Sequence, residues 1–200
     1  VAASSQLFRV LFSCVSVLDK NRSLIFTNFA KRFSTNKNNN FKVHFCMNSN
    51  IALNLPLFNS RIQMQDGNEV IFDEFRKKWV RLTPEEWVRQ QFLMYLHVHL
   101  GYPATAIAVE KSLTYNGMTR RPDAVISGRN GQILMVIECK KPDVTIDEKT
   151  FLQAATYTSV LGNAYILITN GLNHFVCKTD DAARKMHFLH EIPDYATLNA

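Results

Sequence analysis

A polar triad set among apolar strand residues constrains this chain more than any other feature. Asp123 follows Arg121-Pro122, and Glu138-Cys139-Lys140 arrives after fourteen intervening residues. Residues 124–129 read as a short strand running into a turn, and Asn130-Gly131 is a hairpin signal. Ile133 to Ile137 is an unbroken apolar run of a length that suits a buried strand. Alternation along that strand puts Glu138 and Lys140 on one face and Cys139 on the other. Folding back at Asn130-Gly131 then sets Asp123, at the start of the first strand, beside Glu138, at the end of the second. Two carboxylates and a lysine placed in this way suit metal-dependent phosphodiester cleavage. A hard divalent cation such as magnesium takes one or two carboxylates plus waters and phosphate oxygens. A lysine can orient or deprotonate the attacking water and offset charge on the phosphate. Asp123 and Glu138 are therefore the expected metal ligands and Lys140 the water-activating residue. Pro122 fixes the backbone entering the first strand.

These residues resemble the PD-(D/E)xK signature of restriction-endonuclease-like nucleases. Their setting is similar to the N-terminal nuclease domain of type I restriction enzyme R subunits. The segments that carry this likeness are Thr83-Pro-Glu-Glu-Trp-Val-Arg-Gln-Gln91, Leu100-Gly-Tyr-Pro103, Arg120-Arg121-Pro122-Asp123 and Gln153-Ala-Ala-Thr-Tyr157, within residues 50–180. The resemblance implies an α/β fold with a restriction-endonuclease-like core, a mixed central sheet flanked by helices. It implies a deoxyribonuclease that uses Mg2+, with Mn2+ as a substitute. It also implies a third acid on the first helix, Glu86, with Glu85 as the neighbouring alternative. Acids are favoured in any first helical turn, so their presence there alone does not decide a role. By the same likeness the Cys139 backbone carbonyl faces the metal. Gln153 and Tyr157, four apart on one helix face, would lie beside the site and orient phosphate or the Lys140 amine. DNA is the implied partner, with motor and specificity subunits of a restriction system beyond it. No Gly-x-x-x-x-Gly-Lys-Ser/Thr loop occurs, so the ATP-driven motor of such subunits is not expected in this chain.

The net charge of +6 points towards nucleic acid only at first sight. Residues 1–46 hold seven Lys/Arg against the single acid Asp19, and the 23 basic and 17 acidic residues of the chain leave sixteen of each beyond that point. The nuclease-like part is formally neutral, so any phosphate-binding surface is local. Arg120, Arg121 and Lys141 are the candidates, and arginine suits bidentate phosphate contacts. The two arginines could equally pair with acids such as Glu110. Cys14, Cys46, Cys139 and Cys177 lack zinc-ligand spacing and suggest no disulfide framework, the last two reading as buried strand residues. No apolar stretch approaches a membrane span. A bacterial-like cytoplasmic setting is expected. His97 and His99, two apart on a helix, make a poor metal pair, and His174, His187 and His190 lack partners at ligand spacing. Trp79 and Trp87 read as packing aromatics.

Two segments are expected, a poorly structured 1–46 and a nuclease domain over 47–200. The first is rich in Ser, Asn, Lys and Arg and ends in Asn36-Lys-Asn-Asn-Asn40. It reads either as upstream sequence ahead of a start at Met47 or, less favoured, as an organelle-targeting presequence. Nothing after His190 resembles the beginning of a motor, so a stand-alone protein is expected. Glu69–Phe75 and Lys78–Leu82 could form an antiparallel pair. Thr83 caps a helix with Pro84 first, apolar residues from Trp87 to Leu100 in helical spacing, and Gly101 at its end. Ala104 to Tyr115 reads as one strand closed by Asn116-Gly117. After the motif hairpin, Pro142 breaks the strand and a helix begins at Thr145 or Asp147 and runs to about Leu161. Ala164–Thr169 and His174–Lys178, joined at Asn170-Gly171, read as the last strands.

Overall fold

The computed structural model describes residues 52–115, 118–147, 150–151, 164–180 and 185–200, all within one compact unit, Phe45–Ala200. Residues 1–46, Asn116, Gly117, Gln153 and Tyr157 lie outside the described residues.

A small antiparallel sheet opens the fold, with β1 (Ile62–Gln65), β2 (Asn68–Asp73) and β3 (Lys78–Arg81) in that order. The expected pair is β2 with β3, and β1 is an addition. Its signal was the dipeptide Asp66-Gly67. Both residues take positive φ, 49° and 75°, between the paired Gln65 and Asn68, as the tight hairpin turn that matches strand twist requires.

Helix α1 (Pro84–His99) follows. The Thr83 hydroxyl accepts the Glu86 N–H at 3.1 Å, and Pro84 stands where no intrahelical donor is needed. Beyond the helix, Gly101 at φ 70° turns the chain so that the Tyr102 N–H returns to the Leu96 carbonyl at 3.1 Å. Two faces of α1 are buried. Val88, Phe92, Leu93 and Leu96 join the main core with Ala124, Ile126, Met135, Ile137, Cys139 and Leu167, while Trp87 packs with Ile71 and Leu82 of the small sheet.

The main sheet has six strands: β4 (Ile107–Val109), β7 (Ala124–Ser127), β8 (Ile133–Cys139), β9 (Tyr165–Thr169), β10 (His174–Asp180) and β11 (Lys185–Leu189). In space the order is β11-β10-β9-β8-β7-β4, antiparallel except for the parallel β8–β9 pair. The fold is α/β with a mixed central sheet, as expected. Strands β8 and β9 lie at its middle, which explains their almost unbroken apolar runs. Cys139 and Cys177 are buried there, and burial pushes both thiols up, Cys177 to about 12.

Three expectations need correction. The stretch from Ala104 to Tyr115 is not one strand. It divides into a 3-10 turn (Ala104–Ala106), β4, and β5 (Leu113–Tyr115), and β5 pairs separately with β6 (Met118–Arg120). The break falls at Glu110, whose φ is 52° and whose N–H donates to the Asp123 carbonyl at 2.9 Å. There β7 begins, and β4 leaves the sheet. The motif hairpin turns over residues 128–132 rather than tightly at Asn130-Gly131, with Gly128 N–H on the Gln132 carbonyl and Gly131 N–H on that of Gly128. Finally, β10 runs two residues past Lys178 and is followed by β11, then by the short helix α2 (Tyr195–Leu198). The expected helix start agrees better with Asp147, which accepts the Thr150 N–H on its side chain and the Phe151 N–H on its carbonyl. Most of that helix lies outside the described residues.

Candidate active site

The antiparallel register of β7 and β8 pairs Ala124 with Ile137, which brings Asp123 level with Glu138 at the sheet edge. Asp123 Oδ2 accepts the Cys139 N–H at 2.6 Å. The aspartate side chain thus stands where a backbone carbonyl would continue the ladder, and one carboxylate oxygen is pinned to the end of β8. Lys140 leaves the sheet just after, its N–H on the Thr169 carbonyl at 2.8 Å. Its ammonium lies 3.8 Å from Glu138 Oε2. Cys139 is fully buried whereas Glu138 and Lys140 are partly exposed, as the alternation along β8 requires. The structure therefore brings Asp123, Glu138 and Lys140 together.

Arg89 reaches this group from α1. Its Nη1 stands 3.6 Å from Asp123 Oδ1, an ion-pair distance too long for a hydrogen bond. The same guanidinium binds Glu86 Oε2 at 2.8 Å through Nη2 and Glu110 Oε1 at 3.1 Å through Nη1. Arg76, from the β2–β3 turn, repeats the pattern. It pairs with Asp73, with Glu86 Oε1 at 2.9 Å and with Glu110 Oε2 at 2.9 Å. Asp73 is wholly buried, and its Oδ1 also accepts the Phe75 and Arg76 N–H groups. Arg121 completes the cluster on the outside, 2.6 Å from Glu110 Oε2. Three further acids and three arginines are thus linked behind and beside the triad.

That network settles where Glu86 goes. Its carboxylate is buried among Arg76, Arg89 and Gln90. The helical acid whose charge meets the triad is Glu85: burial raises its pKa, Asp123 raises it further, and Lys140 and Arg89 oppose. One residue is 100° of helix rotation, and how α1 is turned against the sheet chooses between the two acids. Of the expected phosphate contacts, Arg121 is tied to Glu110, Lys141 pairs with Asp143 at 2.9 Å, and Arg120 is exposed on β6. Arg89, Arg76 and Asp73 were not anticipated. The sequence signal was available for one of them, since Glu86 and Arg89 are three apart on a helix. His97 binds the Tyr102 carbonyl and His174 the Thr169 hydroxyl, both packing roles, and Trp87 is core. Trp79 sets its ring against Phe72 but remains partly exposed.

The arginines hold Asp73 and Glu110 below their usual 3.8 and 4.5 although burial alone would raise both. A depressed folded pKa contributes stability above the unfolded value and loses it as pH falls through the folded one. The urea unfolding midpoint is therefore expected to fall as pH is lowered below about 4, where the unfolded chain takes up protons that these native carboxylates resist. Glu85 works in the opposite sense, since protonation relieves its burial. A midpoint that rises or stays level from pH 5 to pH 3 would contradict the network.

The donors at the triad are carboxylate oxygens, the set magnesium prefers over soft ligands. Asp123 keeps Oδ1 clear of a hydrogen bond from Arg89 while its charge is partly compensated. Among the described residues no three His, Cys, Asp or Glu side chains cluster closely enough to cage a metal unaided. Magnesium needs no such cage, because it retains several waters. The residues present fit the cation.

The family model for the type I restriction enzyme R protein N terminus matches residues 84–193, from α1 through β11. The chain belongs to this family. Among solved structures, a fragment assigned to the HsdR subunit of a type I restriction enzyme from Vibrio vulnificus YJ016 is similar at 18% identity with a TM-score of 0.43. The match covers 58% of this chain and 24% of that one, so the chain spans about a quarter of that chain's length. No curated protein matches the chain. No helix among the described residues is long and apolar enough to cross a membrane.

Proposed function

We propose that this domain is a magnesium-dependent DNA endonuclease, hydrolysing phosphodiester bonds at the joint end of β7 and β8. The observation that carries the proposal is the convergence of Asp123, Glu138 and Lys140 at one sheet edge in a chain of the R protein N-terminal family. A bound divalent cation supplies electrostatic stabilisation of charge at the scissile phosphate. Asp123 and Glu138 would hold it, and Glu85 rather than Glu86 would complete the acidic set through water. The Cys139 carbonyl points to the same side as its N–H, because an extended residue turns both groups one way. It therefore faces Asp123 and is a further oxygen donor. Lys140 orients the attacking water and offers its charge to the phosphate. Gln153 and Tyr157 remain candidates for phosphate contact, outside the described residues.

The self-paired rim supports a second reading. With Arg121 on Glu110 and Lys141 on Asp143, little free positive charge surrounds the site. A module that binds a restriction-complex partner, or DNA through another surface, without cutting fits that rim.

Incubating the chain with supercoiled plasmid and with linear single- and double-stranded DNA, with Mg2+ or Mn2+ and with chelator, separates the two. Cleavage that needs the cation and disappears in Glu138→Gln is the expected result. DNA binding without cleavage under every condition would overturn the nuclease reading in favour of the module.

A further inference from the structure

The geometry points to Arg89 as the positioning residue for Asp123, held in place by Glu86 and Glu110 so that one carboxylate oxygen is left for the cation. This inference rests on the nuclease reading above and adds a residue that neither the strand motif nor the third-acid expectation contains.

Asp123 is fixed at only one oxygen by the strands. Its Oδ2 takes the Cys139 N–H, and rotation of the carboxylate about that bond would swing Oδ1 freely. Arg89 limits the swing. Its side chain is buried, and its two terminal nitrogens already bind Glu86 and Glu110. Held by these two acids, the guanidinium does not close on Asp123 as a bidentate pair. It stays 3.6 Å from Oδ1. At that separation it attracts the oxygen without consuming its lone pairs.

The anchors are themselves anchored. Glu86 and Glu110 are each bridged a second time by Arg76, which Asp73 fixes in the β2–β3 turn. Glu110 is placed by its left-handed backbone and by its N–H on the Asp123 carbonyl. The small sheet, α1 and β4 thus converge on one guanidinium. Only arginine has the planar spread of donors to meet three carboxylates at once; a lysine ammonium is a point charge on a flexible stem.

Titration calorimetry of Mn2+ alone into the full chain tests this, using wild type, Asp123→Asn, Arg89→Met, Arg89→Lys, Glu110→Gln and Leu96→Ala. Leu96 is a buried apolar residue of the same helix that takes no part in the ion network. Binding should be present in wild type and lost in Asp123→Asn. Arg89→Met should weaken it by about tenfold or more, the range for residues that orient metal ligands. Arg89→Lys should not restore it, Glu110→Gln should weaken it less, and Leu96→Ala should leave it unchanged. Wild-type or tighter binding in a natively folded Arg89→Met overturns the inference, the tighter case meaning that Arg89 merely repels the cation. Equal weakening in Leu96→Ala overturns it too, as a general stability effect. If Arg89→Met does not fold, wild-type affinity in both Arg89→Lys and Glu110→Gln overturns it. Should wild type bind no Mn2+, or Asp123→Asn bind normally, the metal-site reading itself fails and the role of Arg89 falls with it. Binding lost in Asp123→Asn but intact in the Arg89 variants removes only the positioning role.

Discussion

Asp123→Asn is expected to lower Mg2+-dependent DNA cleavage by about 10³-fold or more, the scale on which removing one preorganised electrostatic group acts, with the fold intact. The asparagine oxygen can still accept the Cys139 N–H, so the end of β8 keeps its placement. What disappears is the negative charge, and with it the attraction for a divalent cation in competition with Arg89. Asparagine also leaves the Arg89 charge facing the phosphate path with less to offset it. Lys140→Met should cost less, about 10²-fold, because water retains a nucleophilic role without its orienting amine. Initial rates of supercoiled plasmid nicking, measured at saturating Mg2+ with circular dichroism as the fold control, check both. Undiminished cleavage in Asp123→Asn would remove the proposed metal site from this part of the molecule.

Arg76→Met should destabilise the chain by about 3–5 kcal/mol, the cost of removing one partner from a buried ionic group. Arg76 joins three acids, one of them wholly buried. Methionine fills similar volume but leaves Asp73 without its counter-charge, Glu86 with Arg89 alone, and Glu110 with Arg89 and the exposed Arg121. Urea unfolding at pH 7 reads the loss as a lower midpoint at unchanged slope. The variant should also lose part of the acid-induced fall expected below about pH 4, since the depressed Asp73 titration depends on Arg76. A loss under about 1 kcal/mol, the scale of an exposed pair, would mean that the cluster is hydrated and carries little structural weight.

The strand chemistry was largely legible because its rules are local. Alternation is a property of any extended chain, so Glu138 and Lys140 could be placed on one face, and Cys139 behind, before any fold was known. The hairpin set Asp123 level with Glu138 even though the turn proved longer than Asn130-Gly131 alone suggests. The Thr83 cap and Pro84 likewise act within one turn of helix. Asp66-Gly67 carried an equally local signal for β1.

Glu85 and Glu86 mark where that legibility stops. Both are good first-turn acids, and no periodicity says which one the sheet will face. The choice follows from how α1 is wedged between the main sheet, through Val88 and Phe92, and the small sheet, through Trp87. The break at Glu110 has the same origin: β4 pairs with β7 only as far as the register allows, and the chain must then leave the sheet. The ion network is more distant still. Asp73, Arg76, Glu86, Arg89, Glu110 and Arg121 come from four separate stretches, and each looks like an ordinary surface charge in isolation. Residue type and spacing by themselves determined which side chains could hold a cation at a strand end, because covalent geometry enforces that alternation. Only the tertiary structure decided which acid faces them and which arginine lies behind, because burying charge is tolerable only where counter-charges from distant segments meet it.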